Sequence, residues 1–147
     1  MSKTKPRVLI IEARFYDHIA DMLLDGATAA LDAAGVAWEK FTVPGIYEIP
    51  AAIAMVLSSG KHYDGYVTLG TAIRGESDHY HYICTESMQR QSELAVAENL
   101  ALGNGVLTVH DEEQALKRAD PTRKNIGGLA ARACLRMMEL KRELKLT

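Results

Sequence analysis

Residues 74–84, RGESDHYHYIC, place a glycine, two acidic residues, a serine and two histidines directly after the apolar segment GYVTLGTAI. A glycine-containing turn that leads from a strand into a helix presents free backbone N–H groups and the positive end of the helix dipole. Both features favour an anion such as phosphate. The stretch therefore predicts an anion-binding turn, although the same composition is also typical of a solvated loop that caps a helix.

His79 falls in the first turn of the helix that this stretch predicts, and Ser77 or Asp78 is a suitable capping residue before it. An imidazole changes its protonation state near neutral pH, so His79 is a candidate for proton transfer beside a bound anion. His81 lies two residues further and faces another side of the helix. The alternative for His79 is a histidine that forms only a local hydrogen bond at the helix start.

A metal or nucleotide site is a weaker interpretation of the same stretch. Asp78, His79, His81 and Cys84 are ligand types, but their spacing does not match a zinc motif such as HExxH. The turn is not a Walker motif and contains no GxGxxG, so it does not indicate an ATP or NAD site.

Three other segments carry side chains that could contact a ligand. Phe15 follows the first apolar run, either as an exposed ring at the strand mouth or as a core residue. In VPGIYEIP, Pro44 and Gly45 predict a tight turn before Glu48, which could accept hydrogen bonds from ligand hydroxyls or lie in the first turn of a helix. Arg118 could reach an anion or be solvated.

Composition bounds the class of protein. The 147 residues, 48% hydrophobic and 24% charged, are typical of one globular domain, residues 1–147. A net charge of -2 indicates no nucleic-acid surface. Cys84 and Cys134 are too few for a disulfide framework, and MSKTKPRVLIIEARF is neither a signal peptide nor a membrane span. We expect a cytoplasmic protein without nucleic-acid or membrane partners.

Apolar runs alternate with helical patterns along the chain. Strands are predicted at 7–13, 37–43 (nearer a sheet edge), 63–70 and 105–109, and helices at 17–34, 47–58, 79–98, 111–119 and 127–144. This alternation predicts parallel βαβ units in a three-layer αβα sandwich. Ligands bind beyond the carboxyl ends of such strands, so we expect the polar segments above to converge on one edge.

Read in order, five segments resemble the lumazine synthase family, which performs the penultimate step of riboflavin biosynthesis. They are EARFYDHI, VPGIYEIP, YDGYVTLGTAIRGESDHYHYIC, GVLTVHDEEQALKRA and NIGGLAARACL, and they span about Arg7 to Leu140. The motifs VPG-x-[FY]-E-[IL]-P and GT-x-IRG-x-[ST]-x-H are highly specific. The resemblance implies a flavodoxin-like fold with a four-stranded parallel sheet.

The resemblance also implies a reaction without metal or organic cofactor. The 5-amino group of 5-amino-6-(D-ribitylamino)uracil condenses with the carbonyl of 3,4-dihydroxy-2-butanone 4-phosphate. Loss of phosphate and ring closure with loss of water then give 6,7-dimethyl-8-ribityllumazine.

Roles for individual residues follow from the matched motifs. Phe15 is expected to stack on the pyrimidine ring and His79 to be the general acid and base. The residues expected to line the ring and ribityl site are Ile46, Tyr47, Glu48, Thr71, Ala72 and Ile73. The residues expected to hold phosphate are Glu76 and Ser77, through backbone N–H groups, and Arg118.

Three positions depart from the family pattern. Asn104 stands where many members have a phenylalanine supplied to the site of the neighbouring subunit, and Ile126 replaces a lysine that Lys124 or Arg123 could compensate. Asp78 adds a carboxylate near the phosphate. We therefore expect a reduced affinity for the phosphate substrate. The alternative function is a catalytically weak relative that binds flavin or lumazine.

Assembly is also implied by the resemblance, because the family's site lies between adjacent subunits and a pentamer is the minimum competent unit. Members that close into sixty-subunit shells tend to carry G-x-K-x-GN where this chain has DPTRKN, and a longer N-terminal arm. The expectation is a free homopentamer or a pair of pentamers.

Overall fold

The computed structural model describes residues 5–146 as strands and helices that alternate along the chain. The elements, in order, are β1 (Arg7–Ala13), α1 (Asp17–Ala33), β2 (Ala37–Val43), a 3-10 turn (Ile46–Glu48), α2 (Ile49–Ser58), β3 (Gly65–Ile73), α3 (His79–Glu98), β4 (Leu102–Val109), α4 (Glu112–Ala119) and α5 (Ile126–Glu143).

The four strands form one parallel sheet in the order β2-β1-β3-β4. Residues 8–11 of β1 are completely buried, as expected for a continuous apolar run covered on both faces. β2 lies at an edge and is mostly exposed, which agrees with its mixed sequence. The prediction of a four-stranded parallel α/β sheet is confirmed.

Helices cover both faces of the sheet. On one face, α1, α4 and α5 pack against a core that includes Val8, Ile10 and Val67. On the other, Ile49 and Ile53 of α2 pack against side chains such as Leu9 and Ile11. Burial of these apolar side chains is the main driving force for folding. The three-layer αβα sandwich is therefore confirmed.

Glycines permit the close approach of α5 to its neighbours. A Cβ on Gly103 in β4 would lie 1.8 Å from the carbonyl oxygen of Ala130 in α5. A Cβ on Gly127 would lie 2.1 Å from the carbonyl oxygen of Leu23 in α1. Since a side chain at either position would collide with backbone, α5 can hold its place only with glycine there.

Two strands and one helix differ from their predicted bounds by more than one residue. β3 continues to Ile73 and β4 begins at Leu102, because the β3–β4 ladder runs from Tyr66–Leu102 to Ile73–Val109. Residues 71–73 are thus in a strand. The helix predicted from Tyr47 is a 3-10 turn followed by α2, whose first turn contains Pro50.

Within residues 5–146, no helix has both the length and the apolar sequence needed to cross a bilayer.

Candidate active site

The carboxyl edge of the sheet carries most of the predicted site residues. All strands are parallel, so the loops that leave β1, β2 and β3 emerge on the same edge, and these three strands are neighbours. The residues brought to this edge are Phe15, Ile46, Tyr47, Glu48, Thr71, Ala72, Ile73, Glu76, Ser77 and His79. The convergence predicted from the strand pattern is what the topology produces.

Phe15 directly follows β1 and is an exposed residue, not a core residue. Its side chain is 73% exposed, and the ring centroid of Tyr16 lies 4.9 Å away in an edge-to-face arrangement. An exposed ring beside a sheet edge offers a flat apolar face for stacking. The core alternative for Phe15 is wrong.

A buried carboxylate anchors the loop that carries this ring. Glu12 is 1% exposed, and its Oε2 accepts hydrogen bonds from Arg14 Nε at 2.9 Å, Lys40 Nζ at 2.9 Å and Thr42 Oγ1 at 2.8 Å. Arg14 also pairs with Asp21 of α1 at 2.8 Å. Burial raises the pKa of Glu12, but these hydrogen bonds outweigh it and leave the pKa below its ordinary value. Sequence reasoning missed this residue, although a lone acid within an apolar strand was the available signal.

The turn after β2 combines a buried and an exposed residue. Ile46 is 3% exposed and Tyr47 is 60% exposed, while Glu48 is half-buried. Ser87 Oγ of α3 donates a hydrogen bond to the carbonyl oxygen of Ile46 at 2.6 Å. Tyr47 is thus exposed to solvent, while the backbone of the turn is hydrogen-bonded to α3.

The last residues of β3 have one free backbone edge. The β1–β3 ladder ends at the Glu12–Leu69 pair, whereas the β3–β4 ladder continues to Ile73–Val109. Residues 70–73 therefore pair with β4 alone. Their other backbone edge lies on the side of β1, the strand that Phe15 follows. Unpaired backbone donors and acceptors are strong hydrogen-bonding groups for a ligand. No sequence pattern indicated where the first ladder stops.

The start of α3 is open to solvent. Ser77 precedes the N-cap residue, and its Oγ accepts a hydrogen bond from the backbone N–H of His79 at 3.3 Å, so it forms a local turn rather than an N-cap. Asp78 occupies the N-cap position without a side-chain cap bond, so Asp78 does not cap the helix. Within residues 5–146, the backbone N–H groups of Glu76 and Ser77 and the ring of His79 make no hydrogen bond. These groups remain available to an anion.

Two predicted residues lie away from this edge in a single chain. Asn104 pairs with Thr68 in the middle of β4, about 16 Å from the carboxyl edge at the usual rise per residue. Its Oδ1 accepts from the backbone N–H of Val106 at 2.9 Å. Arg118 lies near the end of α4, on the sheet face opposite α3, and donates to the carbonyl oxygen of Gln114 at 3.2 Å. Neither residue therefore lies at the carboxyl edge of the sheet in its own chain.

The part of the chain that the structure describes contains no group of three or more His, Cys, Asp or Glu side chains placed to hold a metal. The groups that the edge presents are the exposed ring of Phe15, the backbone of residues 70–73, the open start of α3 and the imidazole of His79.

Comparison with known proteins gives a consistent result over nearly the whole chain. A sequence model of the family described as 6,7-dimethyl-8-ribityllumazine synthase matches residues 5–142. The chain is 63% identical to the 6,7-dimethyl-8-ribityllumazine synthase of Paramagnetospirillum magneticum, over 96% of this chain and 98% of that protein. It is 55% identical to 6,7-dimethyl-8-ribityllumazine synthase 1 of Rhizobium meliloti, over 98% of this chain and 97% of that protein.

Proposed function

The chain belongs to the 6,7-dimethyl-8-ribityllumazine synthase family, and we propose that it catalyses the family's condensation in riboflavin biosynthesis. The substrates are 5-amino-6-(D-ribitylamino)uracil and 3,4-dihydroxy-2-butanone 4-phosphate. Attack of the 5-amino group on the carbonyl gives an imine and releases water. Phosphate then leaves, and closure of the ring by the ribitylamino nitrogen releases a second water to give 6,7-dimethyl-8-ribityllumazine. The observation that carries the proposal is the family match over residues 5–142.

The pyrimidine ring binds between Phe15 and the end of β3. The exposed face of Phe15 supports a stacking contact worth about 1 kcal/mol beyond burial. The unpaired edge of Thr71, Ala72 and Ile73 supplies backbone donors and acceptors for the pyrimidine edge. Because these groups are fixed by the β3–β4 ladder, they are already oriented before the substrate arrives.

The ribityl chain binds along the turn after β2. Tyr47 exposes an apolar ring with a polar tip, and the half-buried carboxylate of Glu48 can accept hydrogen bonds from ribityl hydroxyls. Ile46 forms the buried base of this subsite.

The phosphate binds at the start of α3. The free N–H groups of Glu76 and Ser77 and the dipole of a 20-residue helix favour an anion there. Arg118 of a neighbouring copy completes the charge balance. The exposed carboxylate of Asp78 lies at the same helix start and lowers phosphate affinity relative to family members without it.

His79 transfers protons during imine formation and phosphate loss. Its ring is exposed beside the phosphate turn and makes no hydrogen bond within residues 5–146, so it is free to turn toward the reacting atoms. General acid and base catalysis by a positioned side chain is typically worth about 10²- to 10⁴-fold in rate. Positioning of the two substrates side by side contributes independently of it.

The site is completed by a second copy of the chain in a homopentamer, either free or paired with another pentamer. We assign Asn104 and Arg118 to the site of a neighbouring copy, because Asn104 lies in the middle of β4 and Arg118 near the C-terminal end of α4, both away from the carboxyl edge of their own chain. Large apolar side chains of α2 and α3 are exposed, as at a surface that another protein covers. They are Met55 at 70%, Tyr82 at 67% and Val96 at 78%.

Light scattering tests the assembly. We expect a mass about five or ten times that of one chain, and a shell of about sixty chains or a monomer would contradict the proposal.

We also place the protein in the cytoplasm, because a reducing compartment keeps the free thiols of Cys84 and Cys134 unpaired.

Steady-state turnover tests the reaction. The purified assembly is mixed with both substrates, and lumazine absorbance and inorganic phosphate are followed against the uncatalysed reaction. The proposal predicts that both products appear in equal amounts and well above background. Background turnover by a folded assembly that binds lumazine or riboflavin tightly would instead identify a binding protein.

A further inference from the structure

The helix α3 turns polar side chains toward the core. Ser87 and Gln91 are its buried residues, each 0% exposed, and Thr68 of β3 beneath them is also 0% exposed. Burial of a hydroxyl or amide costs free energy unless its hydrogen bonds are made. Apolar side chains at positions 87 and 91 would cover the sheet without this desolvation cost. The presence of a serine and a glutamine there therefore calls for an explanation.

These three side chains form one continuous hydrogen-bonded chain, the relay, that ends on the backbone of the turn after β2. Thr68 Oγ1 donates to Gln91 Oε1 at 2.6 Å, and Gln91 Nε2 donates to Ser87 Oγ at 3.1 Å. Ser87 Oγ then donates to the carbonyl oxygen of Ile46 at 2.6 Å. The donors all point the same way, and short bonds at both ends leave little freedom in length or direction.

The turn after β2 also contacts strand β3, through the side chain of Ile46. A Cβ on Gly70 of β3 would lie 2.8 Å from Ile46 Cγ2, so the side chain of Ile46 rests directly on the strand backbone. Gly70 is also where β3 loses its β1 partner and its free edge begins. Ile46 therefore contacts both Gly70 of β3 and Ser87 of α3, next to the unpaired backbone edge of residues 70–73.

We propose that Ser87 and Gln91 are positioning residues that hold the turn at residues 46–48 at a defined height above the end of β3. The proposal rests on the proposed function, in which this turn binds the ribityl chain of one substrate. The relay ties the turn to Thr68 in the centre of the sheet, so that Tyr47 and Glu48 are presented in one orientation. Apolar packing alone would keep the turn against α3 but would fix its orientation less closely, because dispersion contacts are less directional than hydrogen bonds.

Kinetics distinguish positioning from mere stability. In Ser87→Ala and Gln91→Leu, we expect the KM for 5-amino-6-(D-ribitylamino)uracil to rise about tenfold, as for loss of one well-placed hydrogen bond. The KM for 3,4-dihydroxy-2-butanone 4-phosphate should stay within about twofold, since its site is at the start of α3. Ser92→Ala makes the same deletion at an exposed position of α3 and should change neither constant. Equal shifts in both constants, or no shift in a folded variant, would overturn the proposal.

Amide hydrogen exchange of the peptide 45–49 provides a readout that does not depend on activity. Faster exchange in Ser87→Ala but not in Ser92→Ala is expected, because the turn loses its tether. Unchanged exchange would overturn the positioning role even if turnover fell. Should Ser87→Ala fail to fold, Thr68→Val removes the far end of the relay with little change of shape, and should give the same effects at about two- to threefold. A wild-type protein without turnover would refute the proposed function, and the exchange rates would still decide whether the relay holds the turn.

Discussion

The buried Glu12 and the half-buried Arg14 form an ion pair, with Oε2 and Nε 2.9 Å apart, at the point where β1 ends and the loop that carries Phe15 begins. The same carboxylate oxygen binds Lys40 and Thr42 of the edge strand β2. One side chain thus joins the outer strand, the central strand and the loop of the candidate ring site. An acid in this apolar strand is tolerated because its charge is neutralised in place.

Glu12→Gln should lower the free energy of unfolding by about 2 kcal/mol, because two cations lose their partner while the side chain stays buried. Urea unfolding measures the change. Glu86→Gln is the matched control, since its pair with Arg90 at 3.1 Å is exposed on α3 and screened by solvent, so its loss should change the free energy of unfolding much less. Equal losses in the two variants would show that burial of the Glu12 pair adds nothing.

The same residue predicts how stability depends on pH. Burial raises the pKa of Glu12, but hydrogen bonds from Arg14, Lys40 and Thr42 bring it below the ordinary 4.5. The resulting stabilisation is complete above that ordinary value and is lost as the pH falls through the lower pKa of the folded state. Acidification below pH 4.5 should therefore cost the wild type more unfolding free energy than it costs Glu12→Gln. Parallel curves for the two proteins would contradict this.

Gly103→Ala should lower the free energy of unfolding by about 3 kcal/mol, since the new Cβ would lie 1.8 Å from the Ala130 carbonyl oxygen and α5 would have to move. Thermal unfolding provides the measurement. Gly75→Ala is the control, because a Cβ there meets nothing within 4 Å and its φ is not positive. A melting temperature that falls equally in both variants would mean that the close helix–strand contact is not what stabilises α5.

Cys134 should resist thiol reagents in the native protein. Burial raises the pKa of its thiol to about 12, so almost none is present as the reactive thiolate at neutral pH. A chromogenic disulfide reagent should label Cys134 only on unfolding, with Cys134→Ala identifying its share of the signal. Rapid labelling of Cys134 in native buffer would show that the interface between α5 and the sheet opens readily.

His79→Ala should lower kcat about 10²-fold, as expected for loss of a general acid and base, yet leave turnover above the uncatalysed rate because substrate positioning survives. His81→Ala is the control on the same helix and should stay within about twofold of the wild type. Unchanged kinetics in His79→Ala would remove this residue from the mechanism.

The sequence predicted the architecture because the apolar runs and helical patterns repeat clearly, and parallel strands bring their ends to one edge. It did not predict the relay, since nothing in the sequence shows that Gln91 of α3 lies over Thr68 of β3. The partners of Glu12 depend in the same way on the β1–β2 register. The free edge of residues 70–73 depends on where the β1–β3 ladder stops. The role of Asn104 came only from the family resemblance, and for Arg118 the residues alone offered no more than an arginine that could reach an anion or be solvated.

If the site joins the carboxyl edge of one chain to Arg118 of its neighbour, as proposed, two variants that each lack one of these parts should complement each other within a mixed assembly. Chains with His79→Ala and chains with Arg118→Ala are co-expressed and purified as mixed assemblies, and lumazine formation is compared with each variant alone. Where an Arg118→Ala chain receives the arginine of a His79→Ala neighbour, an intact site forms. Random mixing of the two variants in equal amounts should restore roughly a quarter of wild-type turnover. Mixed assemblies no more active than the separate variants would contradict a shared site.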